Sequence, residues 1–150
     1  MGALLLRALA LFAVIPLFAA TVARAEGRRL ALVVGTTEYA GPWARLPNAA
    51  PDADKLGELL ERRFGFTVTR VLDKDRETFK RALSAQADAA GDEDDLLVFV
   101  AGHGYFDPTD KAGYLVFADA DAGCDRGCYP LDHIKRALYG TRARHVLGML

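Results

Sequence analysis

The sequence predicts an α/β domain, a three-layer sandwich in which a mostly parallel sheet is flanked by helices. Three observations predict it. Two apolar runs, LALVVG (Leu30 to Gly35) and LLVFVA (Leu96 to Ala101), lack the alternation of a half-exposed strand. Each therefore reads as a strand buried on both faces. Between them fall segments whose apolar residues recur every three or four positions, the spacing of an amphipathic helix. Strands that alternate with helices in this way build parallel sheets. At 150 residues and 51% hydrophobic, the chain has material for one domain with its own core.

The elements follow in order. Residues 1 to 25 carry an early cation, Arg7, an apolar stretch from Ala8 to Ala20 and a small-x-small ending at Ala23-Arg24-Ala25. This is the pattern of a secretory signal peptide cleaved before Glu26, with an uncleaved anchor as the alternative. The stretch is too short for a membrane-spanning helix and Pro16 interrupts it. The mature protein is therefore expected to be exported, periplasmic or secreted, with no membrane attachment. Leu30 to Gly35 is the first strand. A polar loop, Thr36 to Pro47, leads into a helix with Ala53, Leu56, Leu59, Leu60 and Phe64 on one face. Asn48 or Ala50 caps it, Pro51 suits its first turn and Gly65 stops it.

Phe66 to Leu72 is a second, β-rich strand. Asp75 caps a second helix with Phe79, Ala82, Leu83, Gln86 and Ala90 on one face, and Gly91 ends it. An acidic run, Asp92 to Asp95, reads as a polar loop before the strand Leu96 to Ala101. Gly113 to Ala118 is a fourth strand. A short helix follows, with Ile134, Ala137 and Leu138 inward and Gly140 at its end. HVLGML, from His145, begins a fifth strand.

Composition excludes several functions. The formal charge is −1, falling to −3 once Arg7 and Arg24 leave with the signal peptide, and no basic block marks a nucleic-acid surface. VVGTTEYAG, after the first strand, matches neither phosphate-binding glycine motif. Two cysteines are too few for a disulfide scaffold. Cys124 and Cys128 lie in the loop GCDRGCYP. In an oxidising compartment a local disulfide between them is the default, with two free thiols the alternative. No second Cys/His pair stands at zinc spacing.

His103 is the candidate for chemistry. It follows a buried strand directly and stands between Gly102 and Gly104. Ligands of open α/β sheets bind beyond the carboxyl ends of strands. Flanking glycines let the backbone turn and a substrate approach, and imidazole exchanges protons near neutral pH. The plainer reading is a glycine-flanked turn with an incidental histidine. His133 and His145 read as solvated, without visible partners. Tyr39 and Trp43 border the cleft or pack on the sheet edge.

Taken in order, LALVVGTTEY, LPNAAPDADKLGELLERRFGFTVT, LLVFVAGHG, GYLVFADA and PLDHIKRAL leading into RHVLGML cover nearly all of Leu30 to Leu150. This series resembles the large-subunit region of the caspase/metacaspase family of cysteine peptidases, in its bacterial caspase-like branch. The resemblance implies a caspase-like fold, present in part, over residues 26 to 150. It implies a cysteine endopeptidase acting on protein or peptide substrates. His103 matches the catalytic histidine, and Gly104 matches the glycine whose N–H helps form the oxyanion hole. The family's nucleophilic cysteine follows the next core strand, about 50 residues after the histidine. In this register it is expected just beyond Leu150, so residues 1 to 150 alone are expected to be inactive.

Asp52 resembles the acid that lines the S1 pocket of metacaspases and selects Arg or Lys at P1. Its plainer role is to favour the N-terminal turn of its helix. Arg45 is the only nearby candidate for the arginine that animal caspases use in S1, and it is out of register. No organic cofactor is implied. Metacaspase relatives often need calcium, and Asp119, Asp121 and Asp132 are the acids nearest the matching region, though loop aspartates are usually just solvated. The alternative to a peptidase is a non-catalytic caspase-homologous domain used for binding or regulation. The intact Gly-His-Gly argues mildly against it.

Overall fold

Four parallel strands form the centre of the molecule, lying across the sheet in the order Thr67–Leu72 (β2), Arg29–Gly35 (β1), Asp95–Ala101 (β3) and His145–Met149 (β7). The computed structural model describes residues 27–150; the expected signal peptide lies outside the described residues. Helix α1 (Ala49–Phe64) joins β1 to β2, and α2 (Arg76–Ala89) joins β2 to β3. Helix α3 (Leu131–Tyr139) leads to β7. Leu30 stands opposite Thr67 on one side and Leu96 on the other. Flanked by strands and covered on both faces, β1 is buried from Leu30 onward.

The lack of alternation thus has its expected cause. Alternate residues of β1 enter two cores. Leu30, Leu32 and Val34 join Leu96 and Val98 against Phe79, Leu83 and Ile134 of α2 and α3. Ala31 and Val33 join Leu97 against Leu60 of α1. Phe79 stacks on Phe117 at 4.6 Å and meets Tyr129 edge-on at 5.4 Å. Fully burying such a ring contributes about 2–3 kcal/mol.

The helices follow the sequence with small departures. Asp75 caps α2, its carboxylate accepting the Thr78 N–H at 2.7 Å. Asn48 precedes α1, but its side chain makes no cap bond. Instead the Thr37 hydroxyl accepts the Ala50 N–H at 3.1 Å, because the loop after β1 folds back over the helix start. The buried stripe of α1 is Ala50, Ala53, Gly57 and Leu60. Leu59 and Phe64, expected inward, are 45% and 52% exposed. Leu59 is turned about 100° from Leu60 and so leaves the buried stripe.

The fourth expected strand departs most. Residues Ala112–Val116 form β5, which belongs to a separate antiparallel sheet of order β4-β5-β6. Strand β4 is Gly104–Asp107 and β6 is Cys128–Pro130. No helix separates β3 from β5, so no crossover is available for parallel pairing. A tight turn returns the chain instead: Asp107 accepts the Thr109 N–H and Asp110 accepts the Ala112 N–H, with Lys111 at φ 57°.

The acidic run, expected as a plain polar loop, pins the strands at their amino ends. Asp94 is buried and pairs with Arg28 at 2.6 Å; that guanidinium, with the Gly91 N–H, holds its carboxyl well below the usual range. Asp92 pairs with Arg142 at 2.6 Å. Asp95 meets Arg144 at 3.0 Å and His145 Nδ1 at 2.9 Å. His145 therefore has a partner where the sequence showed none, because register sets it directly opposite Asp95. His133 packs edge-on against Tyr129.

Candidate active site

Strand β3 delivers its chain to the carboxyl edge of the sheet, where Gly102 and His103 lead into β4. The His103 backbone is fixed on both sides. Its N–H donates to the Tyr39 hydroxyl at 3.1 Å, and its carbonyl accepts the Val116 N–H at 2.9 Å. Tyr39 in turn donates to the Thr36 carbonyl at 2.9 Å. Burial pushes the ionisation of this phenol up, so it keeps the proton it donates.

The imidazole is half-buried, and its Nε2 lies 2.7 Å from the Ala44 carbonyl. A carbonyl oxygen only accepts, so Nε2 carries the hydrogen. In the neutral ring Nδ1 is then the basic nitrogen. Tyr39 packs at 5.0 Å from the ring and Trp43 at 5.8 Å. Trp43 also meets Tyr105 edge-on at 6.1 Å and donates its indole N–H to the Asp121 carbonyl at 3.0 Å. Every one of these ring contacts comes from the loop after β1. The sequence marked Tyr39 and Trp43 only as residues near a cleft. It gave no sign of Ala44, whose contribution is a backbone oxygen.

Gly104 opens β4 opposite Leu115. The bond from Val116 N–H to the His103 carbonyl makes this the non-hydrogen-bonded pair of the ladder. The Gly104 N–H therefore points away from β5, toward the open edge of β4. An amide in that position is free to donate to a substrate oxygen.

Strand β7 runs beside β3, with Met149 opposite Phe99. The chain leaves β7 on the same edge of the sheet as His103. Val146, Leu147, Met149 and Leu150 are all exposed along this outer strand.

Asp52 stands in the first turn of α1, its side chain 61% exposed and 3.6 Å from Lys55 of the same helix. It makes no hydrogen bond to His103 or to the aromatic wall. A disulfide joins Cys124, in the loop before β6, to Cys128, the first residue of β6. The three loop aspartates are separately engaged. Asp119 accepts the Arg76 N–H at 3.0 Å, Asp121 accepts the Arg126 N–H at 3.3 Å, and Asp132 faces Lys135 at 3.4 Å. Among the described residues, no three His, Cys, Asp or Glu side chains gather as a metal ion needs. Nor, among the described residues, is any helix long and apolar enough to cross a membrane.

A parallel sheet between helices, a short antiparallel sheet beside it and a glycine-flanked histidine at the strand end define a domain of the caspase-like class. The model of the caspase domain matches residues 28–148, and the chain belongs to that family. A crystal structure of a protein from Geobacter sulfurreducens is similar, with TM-score 0.66 and 23% identity over 81% of this chain and 48% of that one. The Drosophila initiator caspase Dronc is similar at TM-score 0.58 and 16% identity, over 75% of this chain and 42% of Dronc. The chain thus spans less than half the length of either. No curated protein matches the sequence.

Proposed function

We propose that this chain is the histidine-bearing part of an exported caspase-like cysteine endopeptidase. The observation that carries the reading is the state of His103: Nε2 is held by the Ala44 carbonyl, which leaves Nδ1 to take and return a proton. In this reading the nucleophilic cysteine stands in the residues that follow Leu150 in the full-length protein. Strand β7 favours that placement, because its end lies beside the end of β3.

Nδ1 takes the thiol proton, and the imidazolium stays anchored through Nε2–H on Ala44. The thiolate adds to the scissile carbonyl, and the Gly104 N–H donates to the oxyanion. As the tetrahedral intermediate collapses, the C–N bond breaks and His103 returns its proton to the leaving amine. Water then hydrolyses the thioester. Asp52, a carboxylate in the first turn of α1, is assigned the basic P1 side chain of the substrate. Export is supported by the Ala23-Arg24-Ala25 pattern and by the disulfide.

The test begins with the coding sequence just past Leu150, where Asp-x-Cys is expected. Full-length protein is then assayed on peptides with Arg, Lys or Asp at P1. His103→Ala should abolish cleavage, and Asp52→Ala should lower it on Arg and Lys peptides alone. A missing cysteine, or full activity in His103→Ala, would overturn the peptidase and favour a binding or regulatory domain.

A further inference from the structure

We propose that the Cys124–Cys128 disulfide is an exchangeable redox site, opened by a dithiol, whose state governs how firmly the Tyr39–Ala44 segment holds His103. The functional consequence rests on the peptidase reading above; the exchange and the mechanical link do not.

The disulfide is reachable. It lines an open hollow of about 520 Å3 together with Arg76, Glu77, Lys80 and His133. Cys128 is buried and Cys124 is half-buried, so Cys124 Sγ is the side open to attack. Arg76 and Lys80 both face Glu77, at 3.0 Å and 3.8 Å. Arg76 and Lys80 thus bring cations to the hollow's wall, both paired to Glu77. The closed loop also holds its backbone under strain. Cys124 sits at φ 61°, a left-handed conformation that a residue with a Cβ adopts reluctantly. Opening the bond frees it to leave that conformation.

The exchange balances as follows. One thiolate of the dithiol attacks Cys124 Sγ, the Sγ–Sγ bond breaks and Cys128 departs as a thiolate. The reductant's second thiolate then displaces Cys124 from the mixed disulfide. Two electrons and two protons pass to the protein, which gains two thiols, and the dithiol becomes a disulfide.

The mechanical link runs through backbone contacts. The segment just before the disulfide, residues 118 to 121, docks the loop that holds His103. Ala40 N–H donates to the Ala118 carbonyl at 2.8 Å, and Trp43 Nε1–H to the Asp121 carbonyl at 3.0 Å. Gly41 lies so close to Ala120 that an added Cβ would stand 2.4 Å from its carbonyl oxygen. Asp121 is itself fixed from within the loop: its carbonyl accepts the Cys124 N–H and its N–H donates to the Arg126 carbonyl. On the other side, Tyr39, Trp43 and Ala44 supply the hydroxyl, the ring and the carbonyl that position His103. Releasing residues 124 to 127 loosens Asp121, then Trp43 and Ala44.

The experiment uses full-length protein treated with millimolar dithiothreitol under native conditions. Alkylation and mass spectrometry count thiols, and hydrogen exchange is followed in the peptides spanning 39–45, 118–128 and 53–60. Diethylpyrocarbonate labelling reports the freedom of the His103 ring. The expected result is two new thiols, roughly tenfold faster exchange in 39–45 and 118–128, unchanged exchange in 53–60, and faster labelling of His103. Restoring the disulfide with an oxidised dithiol should reverse all of these. Resistance to dithiothreitol in the folded protein would overturn the exchange site. Reduction without any change in 39–45 or in His103 labelling would overturn the link. The paired variant Cys124→Ser, Cys128→Ser should hold the reduced pattern whatever the reductant; if it does not fold, the titration of the unaltered protein still decides. None of these readouts needs catalysis, so a protein that fails as a peptidase is told apart from a disulfide that fails as a switch.

Discussion

Replacing Tyr39 with phenylalanine removes one oxygen and two hydrogen bonds while leaving the ring that packs 5.0 Å from His103. The cost follows from what each partner loses. The carbonyl of Thr36, a residue 2% exposed, loses the donor held at 2.9 Å. A buried acceptor left without a donor costs about 1–3 kcal/mol. The His103 N–H is nearer to solvent, and water can replace the hydroxyl there, so its loss adds about 0.5–1 kcal/mol. Tyr39→Phe should therefore destabilise the full-length protein by about 1.5–4 kcal/mol, read as a fall in the urea midpoint with unchanged slope. The His103 amide should also lose protection from hydrogen exchange. If the protein is a peptidase, kcat should fall more than KM rises, because the histidine is displaced and the substrate surface is not. A loss below about 0.5 kcal/mol with His103 still protected would refute the reasoning, for it would mean that the hydroxyl positions nothing.

Three further outcomes follow from the packing. Phe79→Ala removes a fully buried ring that touches Phe117 and Tyr129, and should cost about 3–5 kcal/mol in urea titration. Gly41→Ala drives a methyl into the Ala120 carbonyl, and should cost about 1–3 kcal/mol while raising hydrogen exchange at Ala40. Asp94 has a folded-state pKa depressed by Arg28, so its contribution is complete above the unfolded carboxylate value of about 4 and is lost as pH falls below it. Asp94→Asn should therefore lower stability at neutral pH and flatten the acid limb of the stability profile. An acid limb identical to that of the unaltered protein would show that other carboxylates set it.

What could be read from the sequence divides along a physical line. Burial on both faces writes itself into side-chain type, so Leu30 to Gly35 and Leu96 to Ala101 announced the centre of the sheet, and Asp75 announced a cap. His103 stood out because it lies between two glycines directly after such a strand, and the fold does set it at the carboxyl edge of the sheet. Pairing partners are not written in side-chain type. GYLVFA looked like one more core strand, yet the chain turns back at Asp107 to Lys111 and pairs it antiparallel, away from the main sheet. His145 looked solvated because its partner, Asp95, lies 50 residues away and only register brings them together. The least legible contribution is the one closest to His103. The acceptor that fixes the His103 tautomer is the backbone oxygen of Ala44, which almost any residue at that position would provide. The constraint on the sequence therefore falls elsewhere: on the length of the loop from Thr36 to Pro47, and on Gly41, whose missing side chain lets that loop lie against Ala120. A residue inserted in the loop should thus disturb the histidine more than Ala44→Ser does, since the insertion moves the oxygen and the substitution leaves it in place.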